Sequence, residues 1–408
     1  MSSMATETAV DQATDHTSGG SERIYGIDAY RGFVMLLMMA EVLRFSRVAA
    51  ALPDSSFWDF LSYHQSHVPW VGCSLHDMIQ PSFSFLVGVA MPFSIASRMS
   101  RGQSHGQLIG HALWRAFALA ALGILLRSMH RSQTNYTFED TLTQIGLGYV
   151  PLFLFGMARD KWTWTGIAVI LVGYWLAFVA YPLPPADFDY PAVGVPADWQ
   201  HHATGIAAHW NKNSNLAWAF DTWFLNLFPR ESVFTHNGGG YATLSFIPTL
   251  ATMMLGLIAG RWLRAEDPLS RKITWLVIAG VVCLSAGFAA DQLGICPNVK
   301  RIWTPSWVLF SGGWCFLLLA AFYGICDGLE LTRWAYPLRV IGANSIAAYC
   351  IAHLWEDFFV DLFRTHLGPN IFEIAGENYA PFVQGLATLL AFYAILQWMY
   401  SRRILLRI

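Results

Sequence analysis

Residues 64–88 read HQSHVPWVGCSLHDMIQPSFSFLVG. The first half gathers His64, His67 and His76 around Pro69, Trp70 and Gly72, and Asp77 opens the second half. From residue 77 the chain turns apolar for about 20 residues, enough to cross roughly 30 Å of hydrocarbon as a helix. Titratable groups at the mouth of a spanning helix are costly, so their presence points to binding or chemistry. This stretch therefore decides the fold, a helix in a membrane, and marks the first place to look for function.

Composition extends that reading to the whole chain. Of 408 residues, 55% are hydrophobic and 13% charged, with 18 Trp and 28 Phe. A soluble domain carries roughly 25% charged residues. Recurrent long apolar runs, rather than short alternating ones, predict an all-α polytopic integral membrane bundle and not a β-barrel. The net charge of −2 comes with no basic block, so no nucleic-acid partner is expected. The six cysteines show no metal spacing, and no metal site is expected. A disulfide between Cys73 and Cys296, both in loops expected on the same side, is left open.

Apolar length predicts about ten transmembrane helices: 27–46, 77–97, 108–129, 144–158, 162–182, 241–263, 272–293, 304–327, 336–355 and 379–401. The fourth is short. Residues 1–22 are Ser/Thr/Asp/Gly-rich and read as a disordered tail before a single transmembrane domain, 23–408. The short even-numbered connections carry most of the Lys and Arg, including Arg98, Arg101, Arg159, Lys161, Arg261 and Arg264. The odd ones are longer and poorer in both. The positive-inside rule then puts both termini in the cytoplasm. It puts the His64–His76 loop and a long loop at about 183–240 outside. In a bacterium this is the inner membrane. No internal repeat is evident.

Several residue groups can carry chemistry. An imidazole near neutrality can take a proton from an attacking group or attack an acyl carbon itself. Asp77 is either a helix cap or a catalytic partner. Asp28 and Arg31, at i and i+3, can form a structural ion pair. Glu41 lies deeper in the first helix without an obvious local partner, and Arg115 interrupts the third. Such charges should face the interior. The segment PNVKRIWTPSW at 297–307 places Lys300, Arg301 and Trp303 at one helix end. It reads as an interfacial belt, or as a surface where a sugar stacks and an anion is held. Asn344, Ser345 and His353 share one spanning segment, where small polar residues commonly join helices. No Walker loop, GxGxxG or HExxH is present.

At these clusters the chain resembles the heparan-α-glucosaminide N-acetyltransferase family of transmembrane acyltransferases. The resemblance rests on GIDAYRG at 26–32, HVPWVG at 67–72 with DMIQPSFSFLVG at 77–88, and LTQIGLGY at 142–149. It continues through GGYATLSFIPT at 239–249, PNVKRIWTPSW at 297–307 and GANSIAAY at 342–349. It implies a catalytic histidine at His67, beside which Asp77 and Glu41 stand as catalytic candidates on their own chemistry. Trp70, Lys300, Trp303, Asn344 and Ser345 become candidate substrate contacts, and Arg98, Arg101 and Arg339 candidate contacts to the donor's phosphates. It also implies acetyl transfer from cytosolic acetyl-CoA to an amino sugar or other extracytoplasmic glycan, with a homodimer left open. The family commonly has an asparagine where this chain reads MMAEVL at 38–43, so acceptor recognition is expected to differ. A counterpart of the animal enzyme's lumenal domain is not expected here, so the resemblance gives no basis for predicting a polymeric heparan acceptor. A secondary transporter or sugar permease fits the spans and intramembrane charges as the competing class.

Overall fold

A computed structural model describes residues 24–129 and 131–406, and the expected 1–22 tail lies outside them. The described chain is a helical bundle whose only strand-like feature is one antiparallel bridge, Val71 to Val299. The first helix, α1, spans Tyr25–Met39, continues as a 3-10 turn, Ala40–Leu43, and stops at Arg44 in the left-handed region (φ 50°). Its free N-terminal amides at Tyr25 and Gly26 donate to the Asp327 carboxylate, at 2.8 and 2.7 Å. Two short helices follow, α2 (Phe45–Ala51) and α3 (Ser56–Gln65).

The long elements are α4 (Ile79–Ser100), α5 (His105–Ser128), α6 (Thr141–Met157) and α7 (Asp160–Ala180). Beyond the long loop with α8 (Leu216–Phe224) come α9 (Phe246–Arg264), α10 (Leu269–Gln292) and α11 (Pro305–Tyr323). The chain closes with α12 (Tyr336–Ala343), α13 (Ser345–Leu354), α14 (Glu356–Leu367) and α15 (Ala380–Ser401). Among the described residues, seven helical stretches are long and apolar enough to cross a membrane: 76–100, 105–128, 160–180, 243–264, 269–292, 305–328 and 377–401. Three expected spans are shorter: α1 has 15 residues, α6 has 17, and 336–355 is two helices broken at Asn344.

Helix α9 is the most buried of these stretches, and α5, α7, α10 and α15 are the least buried. These outer helices expose Phe117, Val172, Val282 and Leu390, an apolar surface that only lipid satisfies. This is an integral membrane protein. At the centre α4 and α9 touch backbone to backbone. A Cβ on Gly88 would lie 1.8 Å from the Met253 carbonyl oxygen, and one on Gly256 would lie 1.9 Å from that of Phe85.

Candidate functional site

The loop between α3 and α4 is shaped by the residues that make it look reactive. Asp77 is buried, and its carboxylate binds back onto that loop. Oδ1 lies 2.8 Å from His67 Nδ1, Oδ2 accepts the Val68 and Ser74 amides at 3.2 and 3.1 Å, and the Ser74 hydroxyl stands 3.0 Å from Oδ2. Asp77 thus spends its oxygens on the loop, not on the free amides of α4. A carboxylate at Nδ1 makes that nitrogen the donor and leaves Nε2 as the basic one. The His67 side chain stays 35% exposed.

A second loop, 293–304, closes against the first. Gly72 donates to the Asn298 carbonyl at 3.1 Å, and Arg301 joins the Val68 carbonyl (3.1 Å) to that of Gly239 (2.8 Å) while lying over the Tyr241 ring. This brings Lys300 into the site. Its ammonium, 5% exposed, sits 3.4 Å from Asp77 Oδ1 and 3.1 and 3.5 Å from the two His67 ring nitrogens. Burial pushes the Lys300 amine down to about 8, against the pull of Asp77. Burial also holds the His67 imidazole below its usual value. The Lys300 charge acts the same way, and together they outweigh the Asp77 hydrogen bond. His67 is therefore a neutral imidazole at pH 7.

The other two histidines part company. His76 is buried with its ring 4.5 Å from that of His67, and its Nε2 meets Glu41 Oε1 at 2.8 Å. His64 instead accepts the Leu75 amide at 3.3 Å and packs on Phe60 and Tyr63.

Two tryptophans expected to meet a substrate are buried against protein partners. Trp70 is 1% exposed, donates to the Trp210 carbonyl at 3.1 Å and leaves room only for a glycine at Gly240 (φ 78°). Trp303, also 1% exposed, donates to Thr252 Oγ1 at 3.0 Å from a left-handed backbone (φ 51°). Both anchor loops, because an indole with its N–H satisfied packs best when fully covered. Cys73 and Cys296 are free thiols, with burial pushing them up to about 12 and about 11.

At the Arg98 end of the bundle lies a cavity of about 770 Å³ between α1, α4, α5, α6 and the α12–α13 break, a size that suits a large ligand. Its lining includes Arg31, Arg98 and Arg115, then Leu119 and Ile145, and Tyr349. Arg31 pairs with Asp28 at 3.2 Å, and both line the cavity. Arg98 bonds His111 and Gln103; Arg115 lies over the Tyr149 ring, 5.0 Å from its centroid. The other two arginines expected at a donor site fall elsewhere. Arg101 is exposed and folded onto Ser97, and Arg339 is buried over the Tyr25 ring.

Ser345 lines the cavity. Asn344 is fully buried and holds the C-terminal segment instead, donating to the Ile404 carbonyl and accepting the Leu406 amide, both at 3.0 Å. That segment turns at Arg403 (φ 58°), and Leu405 and Leu406 complete the cavity wall. Tyr349, in the cavity lining, donates to Asp140 at 3.0 Å and stacks on His353. Sequence reasoning passed over Ser74, Tyr349 and Asp140 as site residues. Tyr349 closes the quoted GANSIAAY segment, and a buried phenol needing a partner was the available signal. Among the described residues no group of three or more His, Cys, Asp or Glu side chains is placed to hold a metal ion.

No family model matches the chain. Among curated proteins it is similar to human heparan-alpha-glucosaminide N-acetyltransferase, 24% identical over 388 residues that cover 86% of this chain and 56% of the human protein. It is likewise similar to the mouse protein of the same name, 24% identical over 395 residues, 88% of this chain and 57% of that one. The chain spans little more than half the length of the curated relatives it matches.

Proposed function

We infer that this chain, a distant member of the heparan-alpha-glucosaminide N-acetyltransferase family, is a transmembrane acyltransferase that moves an acetyl group from acetyl-CoA to an amino sugar or other glycan. The observation that carries this reading is the His67–Asp77 pair, 2.8 Å apart, with the buried Lys300 ammonium against it. Such a pair orients an imidazole and leaves Nε2 free as a base. The arginine-lined cavity supports a donor site at the opposite end of the bundle. Arg31, Arg98 and Arg115 meet the phosphates of CoA there, and the apolar wall beyond them accommodates the pantetheine arm.

The acceptor nitrogen attacks the acetyl carbonyl carbon. A C–N bond forms, the C–S bond breaks, and His67 Nε2 takes a proton from the nitrogen and passes it to the leaving thiolate. Lys300 offsets the negative charge that builds on the carbonyl oxygen. Asp77 keeps the imidazole in the productive tautomer. We place the termini and the Arg98 end in the cytoplasm of a bacterial inner membrane, with ten crossings that count α1, α6 and the broken α12–α13 as spans. His67 then faces the outside. This arrangement carries an acyl group, not the nucleotide, across the bilayer.

The test is acceptor-dependent release of CoA by purified protein with labelled acetyl-CoA and a panel of amino sugars. His67→Ala should lower it about a hundredfold or more. Uptake of amino sugar into proteoliposomes without CoA turnover would instead support a permease.

A further inference from the structure

The site holds a carboxylate that the acyl-transfer steps above do not use. Glu41 lies in the 3-10 turn Ala40–Leu43 that ends α1. One of its oxygens meets His76 Nε2 at 2.8 Å, and the buried His76 ring lies 4.5 Å from that of His67. The Glu41 side chain is nevertheless 57% exposed. No Lys or Arg side chain pairs with it among the described residues: Arg44, three residues on, is committed to Glu356. An open carboxylate, fixed by a histidine that packs on the base, is a cation subsite in waiting.

We propose that Glu41 is the residue that anchors the acceptor's amine, binding it as an ammonium. The inference rests on the acyl-transfer reading of His67. The ammonium binds the Glu41 oxygen that His76 leaves free. Its nitrogen must lose two protons in becoming an amide. One passes through the Glu41–His76 pair to water; the other passes to His67 and then to the leaving thiolate. The C–N bond forms as the C–S bond breaks, and nothing is oxidised or reduced. Glu41 touches the substrate, and His76 acts through Glu41 as a positioning residue.

The experiment compares two acceptors of similar size on the full chain: glucosamine, and a sugar bearing an alkoxyamine that stays neutral at pH 7. Losing a hydrogen bond to a charged group is worth about ten- to a hundredfold in binding, so Glu41→Gln should raise KM for glucosamine by that factor. KM for the neutral amine should hardly move. An unchanged ratio of the two KM values overturns the inference alone, whereas wild-type protein that acetylates neither amine overturns the acyl-transfer reading beneath it.

Should Glu41→Gln fail to fold, wild-type protein decides the question. A carbodiimide in the presence of glucosamine should couple the amine to Glu41, read as a peptide mass adduct. Coupling at the exposed Asp160 with none at Glu41 contradicts the proposal.

Discussion

Asp77 meets His67, Lys300, Ser74 and the Val68 amide with two oxygens, and in the proposed reaction His67 and Lys300 are the residues whose protonation sets the rate. His67 is held below its ordinary value, so the base is lost only as pH falls through a point under the usual imidazole range. Lys300 loses its charge as pH rises through about 8. Activity should therefore rise from acid, plateau near neutrality and fall on the alkaline side. In Lys300→Arg the alkaline fall should move beyond the measured range, because a guanidinium does not titrate there. A pH profile of acetyl transfer by both proteins checks this.

At this scale the sequence singled out His67 and Asp77 as candidates, since motif and titratable type coincide, and the two side chains pair. The burial of Trp70 and Trp303 was not legible, because an indole in a loop reads equally as a sugar platform or a peg. Only the partners, the Trp210 carbonyl and Thr252, separate the two.

Among the elements, the α4–α9 contact sets the spacing on which the site depends, because α4 begins right after Asp77. With the Phe85 carbonyl 1.9 Å from where a side chain would start, Gly256→Val cannot relax by rotating a rotamer. Overpacking of this kind costs about 3 kcal/mol or more. The variant should unfold at lower temperature in detergent than Gly173→Ala, a position with open space around it.

The long apolar runs were readable from length alone, as was the division into loops. The break at Asn344 was not. GANSIAAY continues the hydrophobic run, and nothing local announces that the Asn344 amide will be spent on Ile404 and Leu406, some sixty residues away. Long-range pairing of this kind leaves no periodic trace.

Across the whole molecule, the cavity arginine Arg98 and the His67–Asp77 pair lie at opposite ends of α4, and Tyr349 lines the cavity. Charge asymmetry in the loops anticipated two ends of different character. It did not reveal which arginines line the cavity: Arg98 and Arg115 do, while the exposed Arg101 and the buried Arg339 do not. Arg115→Leu should weaken acetyl-CoA binding about tenfold, while Arg101→Leu should leave it nearly unchanged. Titration calorimetry distinguishes the two.

The most direct measurement is vectorial. Proteoliposomes with the Arg98 end outward receive labelled acetyl-CoA outside and amino sugar trapped inside. The account predicts labelled acetyl-sugar in the lumen, and none with His67→Ala. Labelled product formed only when donor and acceptor share a side, or formed equally well by His67→Ala, would contradict it.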